Sequence, residues 1–164
     1  MVMKWPFSHR SPGAEVRVQL LASAFDPWQS LADYEIELTA RLGAGQYGAC
    51  CSFVGTMRDF NLDTTVSGMT LEHYPAMTQK VLETLCQEAE QAYDVIDTLI
   101  IHRYGTLLPS DPIVLVASWS AHRNASFEAS RFLIEALKSR APFWKKEALA
   151  SVESARWVEK NTDG

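Results

Sequence analysis

An α+β fold with a largely antiparallel sheet is the architecture this sequence predicts, and that prediction comes from the residues themselves. Apolar runs of strand length come in adjacent pairs between helical stretches, giving the order β-α-β-β-α-β-β-α-β rather than strict strand-helix alternation. Each helical stretch opens on its own start signal. Strong turn chemistry, Pro109-Ser110-Asp111-Pro112, separates two apolar runs that are too close together for a crossover helix.

The elements follow in order. Residues 16–22 alternate enough for a first strand. Asp26-Pro27 supplies a cap followed by proline at the first helical position, and Trp28, Leu31, Ala32 and Leu38 carry a short helix that Gly43-Ala44-Gly45 ends. Residues 47–54 form an apolar strand in which Gly48 marks a bend or a close backbone approach. Residues 66–74 form another strand, and Pro75 opens a second helix whose apolar face is Met77, Val81, Leu82, Leu85, Ala89 and Ala92. Strands over 95–104 and 113–119 lead to a third helix. Asn124 is its expected N-cap, with Glu128 in the first turn, and Ala129, Phe132, Leu133, Ala136 and Leu137 form its buried face. Pro142 biases Ala141 away from helical geometry and stops the helix near Arg140. A short last strand is expected around Trp157.

A chain of 164 residues is long enough to bury one core, with residues 1–15 expected as an N-terminal extension and 16–164 as the domain. The apolar fraction of 47% and charged fraction of 21% are those of a water-soluble globular protein. A net charge of −5 argues against general nucleic-acid binding. No run reaches the ~18 apolar residues of a membrane span, and the N-terminus lacks the apolar stretch of a secretory signal. Cys50, Cys51 and Cys86 make neither a disulfide framework nor a metal-ligand spacing and are expected as structural thiols in a reducing cytoplasm. His9, His73, His102 and His122 show no ligand pairing, so no metal is expected; His73 is expected to be structural.

The P-loop, nucleophile-elbow, zinc-protease and dinucleotide-binding signatures are absent. What remains is basic. Arg58, His102-Arg103 and His122-Arg123 fall at strand ends, where loops gather into clefts and helix N-termini offer N–H groups to anions. Lys138, Arg140, Lys145 and Lys146 fall within nine residues, interleaved with Phe143 and Trp144. Taken alone, such a cluster also describes a solvated helix end with a tryptophan packed beneath it.

The runs SFVGTMRDFN (52–61), LEHYPAM (71–77), IHRYG (101–105), SAHRNASFEA (120–129) and LKSRAPFWKKE (137–147) resemble, in order and spacing, the large catalytic subunit family of molybdopterin synthase. The resemblance covers roughly residues 16 to 159. It implies the hammerhead fold with its β-rich lobe. It also implies a sulfurtransferase of molybdenum cofactor biosynthesis, which installs the dithiolene sulfurs of molybdopterin on cyclic pyranopterin monophosphate. The implied sulfur donor is a thiocarboxylate on the C-terminal Gly-Gly of a small ubiquitin-like subunit. The implied assembly is a dimer of large subunits with one small subunit at each end, and no cofactor is implied.

Residue by residue, the resemblance assigns Lys138 to the incoming thiocarboxylate and Lys145 as a second catalytic lysine. Arg58, His122 and Arg123 become substrate contacts, Lys146 and Glu147 complete that pocket, and Phe53 lies near the tail-binding region. Thr56 and Met57 are expected to contribute backbone rather than charge. A lysine doing acid-base work would need burial or cationic neighbours to depart from its ordinary pKa of ~10.4. Two other readings use the same groove. One is a non-catalytic module that captures a partner's Gly-Gly tail, and the other a small acyl-thioester hydrolase.

Overall fold

The computed structural model of the protein describes the backbone of residues 17–61, 64–149 and 155–158, and the side chains of 17–59 and 67–146. The expected extension over 1–15 lies outside the described residues. The elements run β1 (Val18–Leu21), α1 (Pro27–Leu42), β2 (Ala49–Thr56), β3 (Phe60–Asn61), β4 (Thr64–His73), α2 (Pro75–Ala92), β5 (Val95–Arg103), β6 (Gly105–Leu107), β7 (Pro112–Ser120), α3 (Arg123–Arg140), β8 (Phe143–Leu149) and β9 (Ala155–Val158). The α+β expectation holds.

Two sheets divide the work. The first has the order β1-β5-β7-β2, with β1 parallel to β5 and the other pairs antiparallel. Its strands β5 and β7 are buried along most of their length because helices cover both faces. On one face α2 and α3 bring Leu82, Leu85, Ala89, Leu133 and Leu137 onto Val18, Ile100 and Val116. Each fully buried leucine contributes roughly 2 kcal/mol. On the other face α1 seats Tyr34 and Leu38 against Leu99, Ile101, Leu115 and Trp119. Tyr34 stacks on Trp119 at 5.2 Å, and the indole N–H of Trp119 donates to Glu35 at 3.0 Å.

The second sheet is the β-rich lobe. It has the order β3-β4-β8-β9, with β6 also on β4, and a small core of Met57, Met69, Leu71 and Leu107. Three of its strands, β3, β6 and β8, are additional to the order expected from sequence. The strand β8 matters most, because it pairs with β4 along seven residues from Val66↔Leu149 to His73↔Phe143. The aromatic-basic run after Pro142, to which the sequence reading assigned no strand, is an inner strand of this sheet, between β4 and β9.

Local signals explain most boundaries. Asp26 caps α1, its Oδ1 accepting from the N–H of Trp28 at 2.9 Å and of Gln29 at 3.1 Å. Gly48 is a close approach, since a Cβ there would lie 2.5 Å from the Ala121 carbonyl oxygen. Two helix faces shift from expectation. Trp28 is exposed on α1, and on α2 Met77 and Ala92 face solvent while Thr78 and Cys86 turn inward. At α3 the cap is His122 rather than Asn124, without a side-chain acceptor, and Glu128 falls beyond the first turn. The buried face of α3 and its end at Arg140 are as expected.

Candidate active site

The order of elements places the basic residues. The helix α3 leaves β7 after two residues and doubles back over the sheet, so it runs in the direction of β2, the antiparallel neighbour of β7. Along this path Ser130 Oγ donates to the Cys51 carbonyl at 3.2 Å, and Ser118 Oγ donates to the Ser126 carbonyl at 2.8 Å. From there α3 runs on alongside β2, in the direction of the strand end where Thr56, Met57 and Arg58 lie. Lys138 is exposed on the last turn.

Residues 141–142 then turn the chain into β8. Phe143 fixes this corner, its ring stacked on His102 with centroids 4.0 Å apart and tilted against His73 at 5.8 Å. His102 Nδ1 donates to the Arg103 carbonyl at 2.8 Å. Burial pushes the His102 imidazole down to about 4 and also lowers His73, so burial favours their neutral forms. The expectation of a structural His73 holds, and it extends to His102.

Two residues beyond Phe143, Lys145 lies opposite Leu71, and Met57 packs in the same small core as Leu71. The strand end carrying Arg58 and the strand carrying Lys145 thus meet over one cluster. Lys146 lies opposite Thr70, on the other face with Trp144, whose ring meets Tyr74 edge-on at 4.6 Å. The pleat therefore separates two lysines that the sequence reading grouped in one pocket. Glu147 lies opposite Met69 and Arg156 in the backbone register, and its side chain is outside the described residues. Arg140 is engaged elsewhere, donating to both carboxylate oxygens of Glu88 at 2.6 and 2.9 Å.

Phe53 is half-exposed on β2, on the face that α3 covers. A Cβ at Gly55 would lie 2.9 Å from Val114 Cγ1 and 3.3 Å from Phe53 Cε1, so glycine is what lets the Phe53 ring fold back over its own strand. A register shift between Gly55 and Thr56 re-aims the chain at this point.

The Met57 side chain is 5% exposed, its N–H donates to the Asp111 carbonyl at 2.9 Å, and its own carbonyl accepts from Ser110 N–H at 2.8 Å. Both backbone groups are engaged, so Met57 anchors the loop before Arg58. Arg103 is no anion contact, being buried and paired with Asp111 at 2.9 Å.

His122 and Arg123 lie at the opposite end of α3 from Lys138. The fifteen-residue rise between Arg123 and Lys138 corresponds to about 22 Å along the helix axis. Within one chain the basic residues therefore form two groups, not one. His122 and Arg123 are exposed, beside the uncapped N-terminal amides of α3. Sequence reasoning missed the stack of His102, Phe143 and His73. Its one available signal was the Pro142-Phe143 step, which reads as a strand opening.

Cys86 is fully buried, and burial pushes its thiol up to about 11. Among the described residues, no group of three His, Cys, Asp or Glu side chains could hold a metal ion.

The sequence model of the MoaE protein family matches residues 30–140. The chain belongs to the MoaE protein family. A relative from Ralstonia nicotianae named molybdopterin synthase catalytic subunit is 51% identical over 131 residues, 78% of this chain and 73% of that one. One of the same name from Pseudomonas aeruginosa is 46% identical over 144 residues, 88% and 89% of the two chains. The solved structure of a molybdopterin biosynthesis MoaE protein from Burkholderia ambifaria superposes with a TM-score of 0.71 at 41% identity, covering 89% of this chain and 91% of that one. Membership accounts for the mixed fold and for the β-rich lobe attached to the helix-covered sheet. The match to residues 30–140 includes Phe53, Arg58, His122, Arg123 and Lys138 and stops before β8.

Proposed function

We propose that this protein is the catalytic subunit of a molybdopterin synthase, a sulfurtransferase that converts cyclic pyranopterin monophosphate to molybdopterin. The relatives that share this name and half of its residues support the activity. The observation that carries the site is the corner between α3 and β8. It has Lys138 and Lys145 on either side of a two-residue turn, with Lys145 opposite Leu71, which shares a small core with Met57, the residue before Arg58.

In this reading a small ubiquitin-like subunit inserts a C-terminal thiocarboxylate past Phe53. The Lys138 ammonium pairs with it and turns its sulfur toward the substrate carbon. Lys145 stabilises the negative charge on the oxygen substituent that leaves the substrate carbon as the C–S bond forms, and water then cleaves the resulting thioester, leaving the sulfur on the substrate and a carboxylate on the small subunit. Arg58 grips the cyclic phosphate with its planar fork. His122 and Arg123 act on the same substrate from a second copy of the chain, because about 22 Å of helix separates them from Lys138 in their own. Dimerisation thereby becomes part of the chemistry, and two small subunits complete the assembly. Thr56 and Glu147 line the rim, which Lys146 borders from the opposite face of β8. The scheme gives this chain no metal or cofactor and sets it in the cytoplasm.

Mixing the protein with thiocarboxylated small subunit and cyclic pyranopterin monophosphate tests this. Dithiolene product is expected. Tight binding of the small subunit without product would reassign the groove to a tail-binding module, and loss of the thiocarboxylate without pterin would reassign it to a hydrolase.

A further inference from the structure

We propose that Arg103 and Asp111 form a positioning pair that sets Arg58 in place through the backbone of Met57. This rests on the phosphate-binding role given to Arg58 above. Arg103 closes β5, and its guanidinium donates to Asp111 Oδ2 at 2.9 Å and to the Thr106 carbonyl at 3.1 Å. The same Asp111 oxygen accepts the Leu108 N–H at 3.0 Å, and the Asp111 N–H returns a bond to the Leu108 carbonyl at 3.0 Å. The turn over 108–111 is thus closed on itself and tied to the end of β5. The Leu108 N–H foremost, with Arg103, holds the Asp111 carboxyl below the usual carboxylate range.

This turn grips the segment before Arg58 from both sides. The Asp111 carbonyl accepts from Met57 N–H, and Ser110 N–H donates to the Met57 carbonyl. Ser110 reaches that geometry with φ of 73°, a left-handed conformation that a serine adopts only when its surroundings impose it. The Met57 side chain is buried among Met69, Leu71 and Leu107. The residue before Arg58 is held by both backbone polar groups and by its side chain. Arg103 touches no substrate in this arrangement. It acts through Asp111, the turn and Met57 on where the Arg58 fork begins, and a bidentate phosphate contact is sensitive to displacements on the order of 1 Å.

The test is Asp111→Asn in the full chain assembled with thiocarboxylated small subunit, alone and combined with Arg58→Ala. Asparagine keeps the shape and an acceptor for Leu108 but drops the charge that holds Arg103. The KM for cyclic pyranopterin monophosphate should rise about tenfold with kcat nearly unchanged. Amide hydrogen exchange at Met57 and Ser110 should quicken while Leu133 in α3 stays protected. In the Arg58→Ala background the second substitution should add nothing to KM. An equal further rise there overturns the proposal, as does unaltered exchange at Met57. A normal KM for Arg58→Ala alone instead removes the phosphate role of Arg58, and the positioning role with it. Should Asp111→Asn not fold, Arg103→Lys, which keeps the charge but loses the fork, carries the same readouts.

Discussion

The two ends of α3 are both basic, yet different physics builds them. At its N-terminus His122 caps the helix without a side-chain acceptor, Arg123 is exposed, and Phe127 stands 63% exposed one turn on. Nothing from the second sheet is paired with this end in the described register. At its C-terminus Leu137 is buried, its carbonyl accepts the Ala141 N–H at 3.1 Å, and the chain passes at once into a strand locked by the stack of Phe143 on His102. One end is a preformed corner between two sheets. The other is an open helix terminus, with amides and cations ready for an anion brought to it. A catalytic lysine needs the first kind of place, and a residue offered to a neighbouring copy needs the second.

That contrast can be broken at several points. Lys138→Ala should cut sulfur transfer by about 100-fold or more while the thermal midpoint stays put, because the side chain is exposed and the proposed mechanism sets it against the thiocarboxylate. Wild-type turnover would remove Lys138 from the chemistry. Arg123→Ala should raise KM for the pterin substrate by roughly 10-fold or more, as a charge-assisted contact is lost. Mixing these two impaired variants, assayed at substrate well below the raised KM, sharpens the comparison further. If the helix ends come from different copies, random re-pairing should restore about a quarter of the wild-type sites. No recovery after re-pairing would place both ends in one chain's site.

A pH titration probes only the corner. His102 is buried with its pKa depressed to about 4, so the folded state binds its proton less readily than the unfolded state does. Its contribution is fully present above pH ~6.5 and is lost as pH falls toward 4, amounting to about 2 kcal/mol between pH 7 and pH 5. Denaturant unfolding at the two pH values measures it. His102→Phe, which keeps a ring under Phe143, should flatten the acid limb. The smallest effect is expected at Gly55→Ala, where a methyl group meets Val114 and Phe53 and costs about 1 kcal/mol by overpacking. Its sharper readout is weaker binding of the small subunit's tail through the displaced Phe53 ring.

Much of the first sheet was legible because its strands are long apolar runs and its helices carry start signals of their own. Asp26, Pro27 and Pro75 announce their helices locally, and the buried face of α3 shows in the spacing of Ala129, Leu133 and Leu137. The second sheet was largely illegible. The strands β3 and β6 have two and three residues, too few for a period to show. The strand β8 mixes Phe143, Trp144, Lys145 and Lys146 on both faces, so it shows no apolar-polar alternation. The basic residues were found, but their grouping was not. Lys145 and Lys146 are neighbours in sequence and face opposite ways, whereas Met57 and Leu71 are distant in sequence and share a core.

By itself the sequence determined the helix-covered sheet, the family and the inventory of cations, because periodicity, capping and motif spacing are properties of short stretches of chain. Only the tertiary structure decided which cations share a place. Strand register and the direction in which α3 doubles back depend on contacts between residues tens of positions apart. Those contacts set Lys138 and Lys145 at one corner, leave Arg123 a helix length away, and turn Arg103 from a possible ligand contact into the support of a loop.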